Sequence, residues 1–209
     1  MDFYYGRNSG NSARAAFGLF ESGASFDPRQ LNIKANQNHE PAYLAINPMG
    51  KIPALVDEGI VLWESNAINW YVAERHPASG LLPDNIEGRA AVQRWLFFQT
   101  AHVSPGCTPV FRATNPRSRA AFGEPDPRDV QRGRTELERF LPVLDRQLEG
   151  RDWLERKFSM ADIAHTPHLV MLAAGGFDFS PYPRLAAWLE RVQARPGWRK
   201  ASELIYGPP

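Results

Sequence analysis

One stretch, from Asn47 to Ile68, restricts the fold more than the rest of the chain together. It reads as a loop, Asn47-Pro48-Met49-Gly50-Lys51, then a strand started by Pro53, a Glu58-Gly59 turn, a second strand over Ile60 to Trp63 and a helix opening at Glu64-Ser65. An Ile52-Pro53 peptide at the head of a strand exposes a backbone N–H and C=O that an extended ligand can pair with as an added strand. A helix N-terminus fronted by a hydroxyl and a carboxylate can hold an amino-acid head group. Together these features point to a site for a small peptide-like molecule.

The elements around that stretch follow from periodicity and breakers. Asp2 to Tyr5 is an apolar-aromatic strand, and Gly6 to Gly10 breaks it. Asn11 or Ser12 caps a helix through Ala13, Ala16, Phe17 and Phe20 to Gly23. Phe26 to Ile33 is a second strand, and Pro41 to Ile46 one helical turn with proline in its first position. Ser65 to Arg75 is a helix with Ile68, Tyr71 and Val72 inward. Strand, helix, strand, short helix, hairpin and helix make a small mixed sheet flanked by helices. The densest breaker cluster, His76 to Pro83, marks a linker. Beyond it the period becomes helical, over Gly88 to Val103, Pro127 to Gly150, Met160 to Ala174 and Pro183 to Arg195, which predicts a helical bundle. The Arg-, Pro- and Ala-rich segment Arg112 to Arg128 reads as a loop between bundle helices. The expected domains are 1–77 and 87–209, joined by a linker over 78–86.

The chain of 209 residues carries 24 basic against 23 acidic side chains, so the positive surplus of a nucleic-acid or anionic-membrane binder is absent. A single cysteine, Cys107, excludes an intrachain disulfide and a Cys-x-x-Cys pair, which fits a reducing compartment. The N-terminus lacks the pattern of a signal peptide, and no run approaches the roughly 18 apolar residues of a membrane span. The expectation is a cytoplasmic protein acting on small molecules, with neither nucleic acid nor membrane as partner.

The second candidate site is the loop Arg7-Asn8-Ser9-Gly10-Asn11-Ser12. The Ser9 hydroxyl falls between the end of the first strand and the start of the first helix, where backbone N–H groups and the helix dipole favour an anion. A thiolate is stabilised by such surroundings. A free thiol has a pKa near 8.5, and lowering it by about two units, roughly 2.7 kcal/mol, makes it mostly ionised at neutral pH. Serine, glycine and asparagine before a helix also serve as plain turn and cap residues. Tyr4 and Tyr5 compete with Ser9 as donors to a sulfur.

With those residues in view, the motifs Asn47 to Leu55 and Leu62 to Ile68 resemble the glutathione-binding half of the cytosolic glutathione S-transferases. The resemblance extends over the whole chain. Ser159-Met160-Ala161-Asp162-Ile163 is similar to that family's capping box, with Ser159 at the N-cap and Asp162 three positions on. The implied fold is α/β plus all-α: a thioredoxin-like N-terminal domain, which binds glutathione, and a helical-bundle C-terminal domain, which contributes the electrophile site. Carried over by position, Ile52 pairs its backbone with the cysteinyl unit, beside a cis Pro53. Glu64 and Ser65 hold the γ-glutamyl head group, and Lys51 with His39 meets the glycyl carboxylate. Ser9 matches the catalytic serine of theta- and delta-like classes, and Asn11 resembles an assisting amide of bacterial-type members. The run Arg-Gly-Arg-Ala-Glu of tyrosine-type enzymes is missing, and Ser9-Gly10-Asn11 carries no thiol, against glutaredoxin-like covalent chemistry.

The implied activity is a detoxifying transferase, in which glutathione is the co-substrate, no metal takes part, and the bound thiolate attacks a hydrophobic electrophile. Trp95, Phe98, His102, Ser104, Cys107, Phe111 and Tyr206 are candidate walls for that electrophile, Cys107 being a small buried hydrophobe rather than a nucleophile. The resemblance also implies a homodimer. Two other functions share the same motifs: a glutathione-dependent disulfide reductase or peroxidase, and a non-catalytic glutathione-binding scaffold.

Overall fold

Strand β1 (Asp2–Tyr5) alternates, with Phe3 and Tyr5 buried on one face and Asp2 and Tyr4 half-exposed on the other. This period-2 pattern places it inside a sheet. The computed structural model describes residues 1–208, apart from the side chains of Arg117, Ala121 and Phe122. Strand β2 (Asp27–Gln30) lies parallel to β1, while β3 (Ala54–Asp57) runs antiparallel to β1 and β4 (Ile60–Trp63) antiparallel to β3, in the order β2-β1-β3-β4. The predicted strand over Phe26 to Ile33 contracts to four exposed residues. Its Pro28 cannot donate to a ladder, which suits the sheet edge.

Helix α1 (Gly10–Ser22) crosses the sheet and is buried from Ser12 to Leu19. The side chain of Ser9 caps it, accepting from the Ser12 amide at 3.2 Å, so the cap lies two or three residues before the Asn11 or Ser12 expected from sequence. Gly23 ends the helix with φ 74°. Helix α2 (Pro41–Leu44) is the short turn that Pro41 starts, and α3 (Ser65–Arg75) lies against α1. Their approach is close at Gly18, where a Cβ would collide with the Asn69 side chain. The Asn69 amide uses that proximity to donate to the Arg14 carbonyl at 2.8 Å.

The chain divides into two compact units, residues 1–82 with 194–209, and residues 83–193. The expected helical domain runs to residue 209, but the last helix, α10 (Pro196–Tyr206), packs on α1 inside the first unit. Trp198 meets Phe17 edge to face at 5.4 Å. Glu21, in the last turn of α1, accepts from Arg195 at 2.5 Å and from the Gly197 amide at 3.1 Å. These contacts are drawn from distant parts of the sequence and leave no local periodic trace.

The second unit is helical: α4 (Ile86–Phe98), a π-helical turn (Gln99–Val103), α5 (Ser104–Thr114), α6 (Pro116–Phe122), α7 (Pro127–Gln147), α8 (Met160–Ala174) and α9 (Pro183–Gln193). The predicted helix over Gly88 to Val103 is therefore interrupted at Gln99. The loop expected over Arg112 to Arg128 is instead the end of α5, all of α6 and the start of α7. Helix α8 is buried continuously from Met160 to Leu169, with α4, α5 and α9 against it. At its start Asp162 accepts from the amides of Ser159 and Leu154 at 3.0 Å each, and from the Trp188 indole of α9 at 2.8 Å. Among the described residues no helix is long and apolar enough to cross a membrane.

Candidate functional site

The opening loop leaves β1 at Tyr5 and enters α1 at Ser9. Three hydrogen bonds hold it. The Gly6 amide donates to Ser12 Oγ at 3.3 Å, the Asn8 amide to the Ile205 carbonyl of α10 at 3.1 Å, and the Ser12 amide to Ser9 Oγ. Asn8 takes φ 59°, in the left-handed region that asparagine tolerates better than most residues. Because Ser9 Oγ caps by accepting, its own proton stays available to donate. Ser9 is half-buried at the helix N-terminus. The Tyr5 hydroxyl, the rival donor, turns into the sheet, donates to Gln30 at 3.3 Å and stacks on Phe3. Burial also pushes that phenol above its ordinary range.

Beside this loop lies the segment before β3, where the Ile52 and Ile33 side chains pack over Gly6. Residues 47–51 are held by a local network. The Lys51 carbonyl accepts from the Tyr43 hydroxyl at 2.5 Å and from Asn47 Nδ2 at 2.7 Å, the Gly50 carbonyl accepts from Asn38 Nδ2 at 2.6 Å, and Asn47 Oδ1 accepts from the Met49 amide at 3.1 Å. Burial raises the Tyr43 phenol to about 12, so it remains a donor at any working pH. Gly50 has φ 61°, and a Cβ there would strike the His39 ring, which therefore lies beside the Gly50-Lys51 turn. Lys51 and His39 are both exposed. The Ile52-Pro53 peptide is cis. Among the described residues no backbone hydrogen bond engages the Ile52 amide or carbonyl, which leaves an open edge beyond the last ladder pair, Tyr4 with Ala54.

The third component is the entry to α3. Glu64 rather than Ser65 occupies the N-cap, with φ 69°, ψ 113° and no capping bond from its side chain. A non-glycine residue held there costs on the order of 1–3 kcal/mol, a strain typical of functional positions. Ser65 is the first helical residue and is buried, and its hydroxyl does not cap the helix. Its Oγ accepts from Arg14 Nη1 at 2.9 Å, and the same nitrogen donates to Asn11 Oδ1 at 2.7 Å. Arg14 is only 3% exposed. No motif marks it, although a lone cation within the apolar run of α1, three residues after Asn11, has to find polar partners when buried.

These bonds and contacts bring the predicted residues together in linked groups within one unit: Ser9 with Ile52 through Ser12 and Gly6, Asn11 with Ser65 through Arg14, and His39 with Lys51 through Gly50. The candidate walls fall in both units. In the second, the rings of Trp95, Phe98, His102, Phe140 and His165 form one aromatic cluster. Trp95 Nε1 donates to Glu155 at 2.7 Å, Ser104 Oγ lies 3.3 Å from His168 Nε2, and Cys107 is buried. Tyr206 belongs to the first unit. Burial drives its phenol far above the ordinary range, against the pull of the Arg14 guanidinium. Among the described residues no three His, Cys, Asp or Glu side chains are grouped to hold a metal ion.

Residues 1–74 match the sequence profile of the glutathione S-transferase N-terminal domain, and residues 99–196 that of the C-terminal domain. The chain is 32% identical over 200 residues to glutathione S-transferase F10 of Arabidopsis thaliana, covering 92% of each protein. It is also 32% identical over 194 residues to the disulfide-bond oxidoreductase YfcG of Escherichia coli, covering 88% of this chain and 86% of the relative. Among solved structures, glutathione S-transferase-I bound with lactoylglutathione aligns with a TM-score of 0.87 at 27% identity, covering 97% of this chain and 98% of that one. A mixed four-stranded sheet carrying an open edge at a cis-proline, together with both profile matches, establishes that the chain belongs to the glutathione S-transferase family.

Proposed function

We propose that the protein is a glutathione transferase of the serine type, which holds glutathione along the first unit and keeps its sulfur ionised for attack on a hydrophobic electrophile. The observation that carries this reading is the coincidence, in one unit, of two helix N-termini and an unpaired backbone edge at Ile52. Ile52 pairs with the cysteinyl backbone. Glu64 and Ser65 take the γ-glutamyl group, and Lys51 and His39 the glycyl carboxylate. Ser9 donates its hydroxyl proton to the sulfur, with the Asn11 amide beside it, and the positive end of the α1 dipole lowers the cost of the charge. The thiol proton leaves to solvent. The thiolate then bonds to the electrophilic carbon as the leaving group departs with its electron pair, and the protein contributes position and anion stabilisation.

A second reading, glutathione-dependent reduction of disulfides, is favoured by the likeness to a relative named as a disulfide-bond oxidoreductase. Parallel assays with glutathione separate the two. Faster turnover of a chloroarene than of a mixed disulfide supports conjugation, and the reverse order overturns it. A cytoplasmic homodimer completes the proposal. Its support is β4, a sheet-edge strand that exposes Ile60, Val61 and Trp63. A light-scattering mass equal to one 23.5 kDa chain contradicts the dimer.

A further inference from the structure

Between the thiol end and the head-group end of this site lies a charged side chain to which neither the motifs nor the proposed chemistry assign a task. Arg14 sits in the second turn of α1, almost wholly buried, with one guanidinium nitrogen placed between Asn11 Oδ1 at 2.7 Å and Ser65 Oγ at 2.9 Å. Its backbone is fixed as well, since the carbonyl accepts from Asn69 of α3. Ser65 is 51 residues from Arg14 in sequence, so this nitrogen is a direct side-chain link between α1 and the start of α3.

The direction of those two hydrogen bonds matters more than their number. A guanidinium has five N–H donors and no acceptor, so whatever faces it must accept. Asn11 therefore turns its carbonyl oxygen inward, and its amide nitrogen, a pure donor, is what remains to face outward. Ser65 spends an oxygen lone pair on Arg14, so its hydroxyl proton is left to donate elsewhere. Asn11 is thereby held with its donor edge toward an incoming ligand, and Ser65 has one acceptor position fewer and its proton to donate, an arrangement that favours an anion: a thiolate at one end, a carboxylate at the other. Without the arginine, an exposed asparagine amide can present either edge and a serine hydroxyl can rotate, so each would offer an acceptor to an anion part of the time.

Resting on the glutathione reading above, we infer that Arg14 is a positioning residue that fixes Asn11 and Ser65 as outward donors and couples the ionisation of the bound thiol to the head-group contact. The coupling runs through one nitrogen: loss of the Ser65 acceptor removes one of the two side-chain oxygens that share Nη1, and the hydrogen bond that orients the Asn11 carbonyl changes with it.

The test is the pKa of the glutathione thiol at saturating glutathione, read from thiolate absorbance, in the wild type, Ser65→Ala, Asn11→Ala and the double variant. Ser65→Ala is expected to raise that pKa by about half a unit or more where Asn11 is present, and to leave it unchanged in the Asn11→Ala background, because non-additivity marks a shared network. Arg14→Gln, whose amide can accept as well as donate, is expected to raise the pKa by about one unit and to abolish the effect of Ser65→Ala. A shift from Ser65→Ala of the same size with and without Asn11, or no shift at all, overturns the inference, and this cycle decides the matter even if Arg14→Gln does not fold. Calorimetry on the wild type separates the two levels of the account. Absence of glutathione binding defeats the functional reading and this inference together, whereas binding with an additive cycle defeats this inference alone.

Discussion

At the scale of single residues, the candidate site is built from side chains that also serve the fold. Ser9 is the clearest case, because its oxygen caps α1 by accepting, which leaves its proton to donate. Replacing an N-cap serine by alanine costs about 1 kcal/mol, but by glycine only a few tenths. Urea unfolding of Ser9→Ala and Ser9→Gly is therefore expected to show the alanine variant clearly weakened and the glycine variant close to wild type. Equal losses in both would mean that Ser9 Oγ does not carry the cap. Ser65 gives the opposite lesson. Its sequence position suggested a cap, yet Glu64 holds that place in a strained conformation, and the Ser65 hydroxyl is bound by an arginine from another helix. Sequence alone could mark Ser65 as chemically active, but not name its partner, because the Arg14 contact spans 51 residues.

At the scale of elements, the capping box at the start of α8 shows how much a short motif can specify. Ser159 and Asp162 bond each other's backbone amides as their spacing predicts, and Asp162 reaches further, to Leu154 and to Trp188 of α9. Burial dominates its ionisation, raising the carboxyl from 3.8 to about 6 against the opposing pull of its hydrogen bonds. Since the folded value lies above the unfolded one, the folded state binds this proton more tightly. The corresponding contribution is complete below about pH 4 and disappears as pH rises through about 6. Over two units it amounts to on the order of 3 kcal/mol. Asp162→Asn removes that dependence and sets an amide donor against one of the three N–H groups, a loss of about 1–3 kcal/mol. Denaturant melts between pH 4 and 7 should show the gap between wild type and variant narrowing as pH rises; a constant gap would contradict the assignment.

The same scale shows where sequence legibility stops. The hairpin and α3 were readable because turn residues and alternation are local signals. Helices α5 and α6 were not, because Pro105, Pro109 and Pro116 make the segment look broken, although two of these stand in first turns, where no amide is needed. Helix α10 belongs with the first unit because Trp198 meets Phe17 and Glu21 accepts from Arg195 and the Gly197 amide across the length of the chain, pairings without local period.

For the whole molecule, near-neutral charge and family membership agree on small-molecule chemistry, and the account comes down to the first unit holding a tripeptide thiol as an anion. Within that unit the opening loop is not free-standing, since the Asn8 amide is bound to the last turn of α10 and the Ile52 side chain covers Gly6. The most direct measurement is an ultraviolet titration of the thiolate in the wild-type complex with saturating glutathione. The account predicts a midpoint at or below about pH 7, some two units under that of a free thiol. A midpoint near the unperturbed value of about 8.5 would contradict it.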